Sequence, residues 1–125
     1  MKNKLLIVSI CCSVLFTACS KSTPLKDGEV LIRVENATTT DFQNIIVAEK
    51  KFGSVNAAVV TGYQSFKDVI AYPGANIVSA TGTVYAGLLY CGTPPLPYLE
   101  NGKYKLQIFY DSLTYSHYNA RYIKE

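Results

Sequence analysis

A run of strict alternation late in the chain constrains the fold most. Tyr104, Leu106, Ile108 and Tyr110 alternate with Lys103, Lys105, Gln107 and Asp111, and only Phe109 spoils the polar side. A period of two places one set on each face of an extended strand, whereas a helix would scatter both around its circumference. Val30, Ile32 and Val34 repeat the pattern against Leu31, Arg33 and Glu35. Strands buried on one face must find a second apolar layer, so the search is for more strands or for a covering helix.

The remaining chain supplies strands. Residues 42–48 read as a strand whose apolar spacing (Phe42, Ile45, Val47) breaks strict alternation in the manner of a bulge. Glu49, Lys50, Lys51, Gly53 and Ser54 read as a solvated turn, and residues 57–66 as a third and fourth short strand around Gly62. Tyr72, Pro73, Gly74, Ala75 and Asn76 form a turn signal, since Pro and Gly preset its dihedrals. Residues 77–90 are rich in Val, Thr and Tyr and read as a strand pair or one bent strand. Residues 91–102, with Gly92, Pro94, Pro95 and Pro97, read as a loop, because proline cannot donate to a central ladder. Residues 118–124 close the chain as a last strand. With no amphipathic helix pattern, the expectation is all-β: a single antiparallel β-sandwich, immunoglobulin-like or transthyretin-like, of about six to eight strands.

The N-terminal stretch has a different character. Lys2 and Lys4 precede an apolar run over residues 5–16, about 18 Å of helix, too short for a hydrocarbon layer of roughly 30 Å. It fits the apolar core of a secretory signal followed by small residues. Phe16, Thr17, Ala18 and Cys19 resemble the bacterial lipobox, with Phe16 where that pattern most often has Leu. The resemblance implies a lipoprotein acylated on Cys19, by palmitate or a similar chain, so that Cys19 becomes the mature N-terminus. The expected organisation is a signal peptide over 1–18, a lipidated cysteine and flexible tether over 19–29, and the sandwich over 30–125. Ser20 and the acid-free stretch to Thr23 imply, by the same resemblance, an outer-membrane position facing the periplasm. Gly102, Lys103 and Tyr104, with Arg33, Val34, Glu35, Asn36 and Ala37, also resemble small Bacteroidota envelope lipoproteins of β-sandwich type. That likeness implies a fold and an address in the cell envelope, and brings no activity with it.

Without Lys2 and Lys4 the chain has ten basic and nine acidic residues, net +1. This near-neutral balance gives no electrostatic footprint for nucleic acid. Of the four cysteines, Cys11 and Cys12 fall in the leader and Cys19 in the lipobox. Cys91 is left without an intrachain disulfide partner, and about a hundred residues must be held by burial alone.

Candidate chemistry is sparse. His117 is the only histidine, with no Cys, Asp or Glu at ligand spacing, so no metal is expected. A Cys91–His117 dyad is conceivable, but a free cysteine is more often a small buried hydrophobe. Glu35, Glu49, Asp68, Glu100 and Asp111 are scattered, without the close carboxylate pair a glycosidase needs. No enzyme and no cofactor are expected. Ten tyrosines, all between residues 63 and 122, stand out against the absence of Trp. Tyrosine suits half-buried pleated surfaces, so most should pack. An exposed subset drawn from Tyr85, Tyr90, Tyr115 and Tyr118, with Pro95 and Tyr98 in the stiff Pro-rich loop, is the candidate contact surface. The expected role is a lipid-anchored, non-enzymatic protein-interaction or structural accessory module with an envelope protein partner. The alternatives are a small-ligand or glycan-binding module and an inhibitor or immunity-type protein. A deep apolar cleft would favour a ligand; a flat aromatic patch beside the 91–102 loop would favour a partner.

Overall fold

The first strand, β1 (Glu29–Asn36), buries every second residue: Val30, Ile32, Val34 and Asn36 are fully enclosed. In the computed structural model, which describes residues 25–87, 96–113 and 117–125, this strand is central to a four-stranded sheet. Its neighbours are β4 (Gln64–Lys67) on one side and β7 (Gly102–Asp111) on the other, with β8 (His117–Lys124) beyond β7. The second sheet runs in the order β3 (Lys50–Lys51), β2 (Asn44–Val47), β5 (Gly74–Ser79), β6 (Gly82–Gly87). Among the described residues there is no helix.

The two sheets pack face to face. Val30, Ile32, Val34, Leu106 and Ile108 of the first meet Ile45, Val47, Ile77 and Ala86 of the second in one apolar core. Each such aliphatic side chain contributes about 1.5–3 kcal/mol when fully buried. Phe42 and Val55, paired outside the named strands, complete the core at one end. The all-β, two-sheet sandwich that alternation implied is therefore the fold, with eight strands among the described residues.

Several details differ from the sequence reading. β1 and β7 run parallel, from Val30 opposite Gly102 to Asn36 opposite Ile108, while the other pairings of named strands are antiparallel. Alternation cannot reveal this, because a parallel neighbour leaves the side-chain period at two. Lys50 and Lys51, expected in a solvated turn, form β3. Val47 pairs with Lys50 across a two-residue loop, with Ala48 (φ 43°) and Glu49 (φ 70°) both left-handed. A type I′ hairpin turn requires that backbone and normally recruits Asn and Gly, so the Ala-Glu pair hid it. Residues 57–66 contribute only the start of β4 and an isolated bridge between Val60 and Glu35. Gly74 and Asn76 belong to β5, and a hairpin turn at Ala80 and Thr81 leads to β6. Phe42, Ile45 and Val47 are buried as spaced: Phe42 stands in its own bridge, and the strand begins after it, at Asn44.

The sandwich has two ends. One, here the tether end, gathers residues 25–28, the β2–β3 turn, residues 68–73 and residues 96–101. Residues 25–28, expected as the end of a flexible tether, are bonded into the fold, and Glu29 opens β1. The Asn101 side chain accepts from the Gly28 N–H (2.8 Å) and donates to the Lys26 carbonyl (2.7 Å). The Asp68 N–H donates to the Gly28 carbonyl. The other, far end gathers residues 36–42, 55–60, 80–81 and 110–113 with His117 and Tyr118.

Candidate contact surfaces at the two ends

The outward face of the first sheet carries a network of ion pairs and hydrogen bonds. Arg33 binds the Glu125 carboxylate through two nitrogens, and the Tyr63 hydroxyl donates to the same carboxylate. Lys105 pairs with Glu35 at 3.5 Å, Gln107 donates to Glu35 at 2.6 Å, and Arg121 donates to Gln107 while its guanidinium covers the Phe109 ring. The Arg33 hydrogen bond, then that of Tyr63, holds the Glu125 carboxyl below its ordinary range. These contacts link Arg33, Glu35, Tyr63, Lys105, Gln107, Arg121 and Glu125 across the outward face of the sheet.

The tether end is more open. A shallow groove of about 230 Å³ is lined by Val47, Ala48, Lys67, Asp68, Val69, Ile70, Tyr72, Gly74 and Tyr122. Tyr98 stands directly opposite Ile70 in an antiparallel bridge, bracketed by hydrogen bonds from the Ala71 N–H to the Pro97 carbonyl and from the Leu99 N–H to the Val69 carbonyl. Directly opposed residues present their side chains on the same side, so Tyr98 extends the apolar surface of Ile70. The exposed fractions are 59% for Tyr98, 40% for Tyr72 and 37% for Ile70. The Tyr85 phenol lies so close over Gly74 that a Cβ there would overlap its hydroxyl. Gly74, at the start of β5, thus makes room for this close approach. Tyr122 is mostly enclosed, and burial first, then the neighbouring Tyr85, pushes its phenol up to about 12.

A second groove of about 450 Å³ continues from Lys67 and is lined by Lys26, Asp27, Glu29, Lys50, Ser65 and Phe66. The Lys50 ammonium sits 4.8 Å above the Phe66 ring, and Phe52 stacks on the same ring at 6.2 Å. Glu29 is already engaged: the Lys26 N–H and then the Ser65 hydroxyl hold its carboxyl below its ordinary range. Neither groove is an enclosed cleft.

At the far end the aromatic rings stack instead of lining a groove. Tyr118 meets the core ring of Phe42 edge-on at 5.4 Å and Tyr110 edge-on at 5.5 Å. Such pairs contribute about 0.5–1.5 kcal/mol beyond area burial. Tyr110 follows the inward alternation of β7 but lies 51% exposed, and Leu113 at the tip of the β7–β8 turn is 96% exposed.

Of the residues singled out in the sequence, Tyr85 and Tyr98 fall at the tether end, and Tyr118 falls at the far end, half-buried against the core. They do not form one platform. Cys19, Tyr90, Pro95 and Tyr115 lie outside the described residues, as does Cys91. His117 is half-buried opposite Asp111. Among the described residues, no three His, Cys, Asp or Glu side chains are grouped as a metal site would need. Sequence reasoning missed Ile70, Tyr72, Tyr110 and Leu113. Their only signal is an apolar residue at a loop or strand terminus, where alternation no longer says which way is in.

What the fold and its surface define is a small two-sheet sandwich with an ion-paired polar face and two separate exposed aromatic ends. The chain matches no protein-family model, no curated protein and no solved structure.

Proposed function

We propose that this chain is a lipid-anchored, non-enzymatic module of the cell envelope that acts by contact with a partner protein at its far end. The observation that carries this reading is the Phe42, Tyr118, Tyr110 stack. Rings fixed by the core and ending in an exposed Tyr110 and Leu113 lose little conformational freedom when covered, as an aromatic contact site requires. Shallow grooves favour this reading over a small-ligand module, which would draw most of its affinity from an enclosed apolar cleft. Acylation of Cys19, with export of the domain to the periplasmic side, supplies the address and leaves the far end turned away from the membrane.

The test is photo-crosslinking in cells from a reactive side chain at Leu113, compared with one at Ser65 on the outward face of the first sheet. A single stoichiometric envelope protein captured at Leu113 and not at Ser65 is expected. Capture at Ser65 alone, or no reproducible partner at either, contradicts the reading.

A further inference from the structure

We propose that the tether end seats on the bilayer that holds the chain, with Ile70, Tyr72 and Tyr98 in the interfacial layer. The inference rests on the anchored reading above and adds what the tether end touches. Five residues, 20–24, separate Cys19 from Leu25. They span at most about 22 Å when stretched and about 13 Å as flexible coil. Asn101 clasps the incoming chain at Lys26 and Gly28, and Gly28 is bonded in turn to Asp68, two residues from Ile70. The end carrying Ile70, Tyr72 and Tyr98 is therefore the end the anchor draws to the lipid.

The chemistry of that end matches its position. Tyrosine rings combine an apolar body with a polar tip and concentrate at membrane–water interfaces. Lys67 lines the groove with Ile70 and Tyr72, Lys26 lines the adjoining groove, and Lys124 pairs with Glu100, two residues from Tyr98; lysine stems can lie along apolar surface while their heads reach the phosphates. Asp27, Glu29, Asp68 and Glu100 offset those charges locally. The contact accordingly depends on Ile70 and the tyrosines more than on anionic lipid, and forms on zwitterionic bilayers. A patch this small would not hold a free protein on a membrane. Tethered within about 20 Å, it works at an effective concentration in the millimolar range, where a weak contact suffices.

The absence of Trp permits a clean reporter. The acylated protein carrying Tyr98→Trp, and separately Leu113→Trp, is reconstituted into phosphatidylcholine vesicles containing a phospholipid with a nitroxide high on its acyl chain. Emission from Tyr98→Trp should be quenched by the nitroxide about threefold more strongly than emission from Leu113→Trp, and less by aqueous acrylamide. Equal quenching of the two reporters overturns the inference. So does shielding of Tyr98→Trp from both quenchers, which would mean that a second copy covers the patch. An intact mass without acyl chains, with protein lost from the vesicles, overturns the anchored reading and the inference together. An acylated protein whose Tyr98→Trp remains open to acrylamide overturns the inference alone. Ile70→Trp, on the same patch, should repeat the Tyr98→Trp result if the reporter itself disturbs the loop.

Discussion

Each end of the sandwich is tied together by one asparagine, and the two do so differently. At the far end Asn36 is fully buried and uses its whole amide. It donates to the carbonyls of Thr40 (2.8 Å) and Val55 (3.0 Å) and accepts from the Thr38 N–H (3.1 Å) and hydroxyl (2.6 Å). At the tether end Asn101 is exposed and makes two bonds, to Gly28 and Lys26. A buried amide with every bond filled fixes its loops, because its own N–H and C=O groups cannot turn to water when a partner is lost. An exposed amide can exchange its partners for water at little cost. The far end is thereby held in one shape by a buried amide. The tether end, held by an exposed amide, yields more easily. Asn36, Ala37 and Thr38 match a glycosylation sequon, and the Asn36 side-chain nitrogen is occupied by the Thr40 and Val55 carbonyls.

Four substitutions test this contrast. The largest effect is expected from Asn36→Ala, which removes four hydrogen bonds from the buried end, takes the acceptor from the Thr38 N–H and leaves the Val55 and Thr40 carbonyls with one donor each, from the Phe42 N–H and the Thr38 hydroxyl; it should cost about 3 kcal/mol in denaturant unfolding. A loss below about 1 kcal/mol would contradict the claim that this amide locks the far end.

Second is an alkaline effect at the tether end. Tyr122 titrates near 12 in the fold against an ordinary 10, so folding favours its neutral form. The resulting stability is fully present below pH 10 and is lost as pH rises through about 12, by about 2–3 kcal/mol in total. Unfolding measured across that window should show the loss in the parent chain and a flattened slope in Tyr122→Phe; equal slopes would contradict it.

Third, Glu49→Gly relieves a left-handed non-glycine backbone in the β2–β3 turn and should stabilise by about 0.5–1 kcal/mol by thermal melting. Destabilisation would show that the Glu49 side chain is needed there. The smallest effect is expected from Asn101→Ala: less than about 1 kcal/mol globally, because both groups it releases reach water. Its signature is local, a faster proteolytic cut within residues 20–28, and an unchanged cleavage rate would deny Asn101 its role as the clasp.

How much of this was legible in the sequence follows from where alternation operates. β1 and β7 read correctly because each has one face fully in the core, so Val30, Ile32, Val34, Leu106 and Ile108 are apolar at every second position. The two-sheet fold follows from such strands and from the missing helix pattern. β3 was illegible because its two lysines are exposed, and its turn uses Ala48 and Glu49 in place of the usual Asn and Gly. The parallel β1–β7 pairing is set by topology and leaves no mark on side-chain period. The candidate surfaces were half legible. Tyrosine abundance pointed to aromatic contacts, but composition cannot say that Tyr104 is core, that Tyr118 bridges core to surface, or that Tyr98 sits across from Ile70. Those facts depend on which strands end where.

Which end would face lipid and which a partner depends on where the chain is anchored. The most direct test is therefore the intact mass of the protein extracted from membranes. A chain beginning at Cys19 and carrying acyl mass is the expected result. A chain that begins elsewhere, or one with Cys19 unmodified, would contradict the anchored reading and free both ends to face the same solvent.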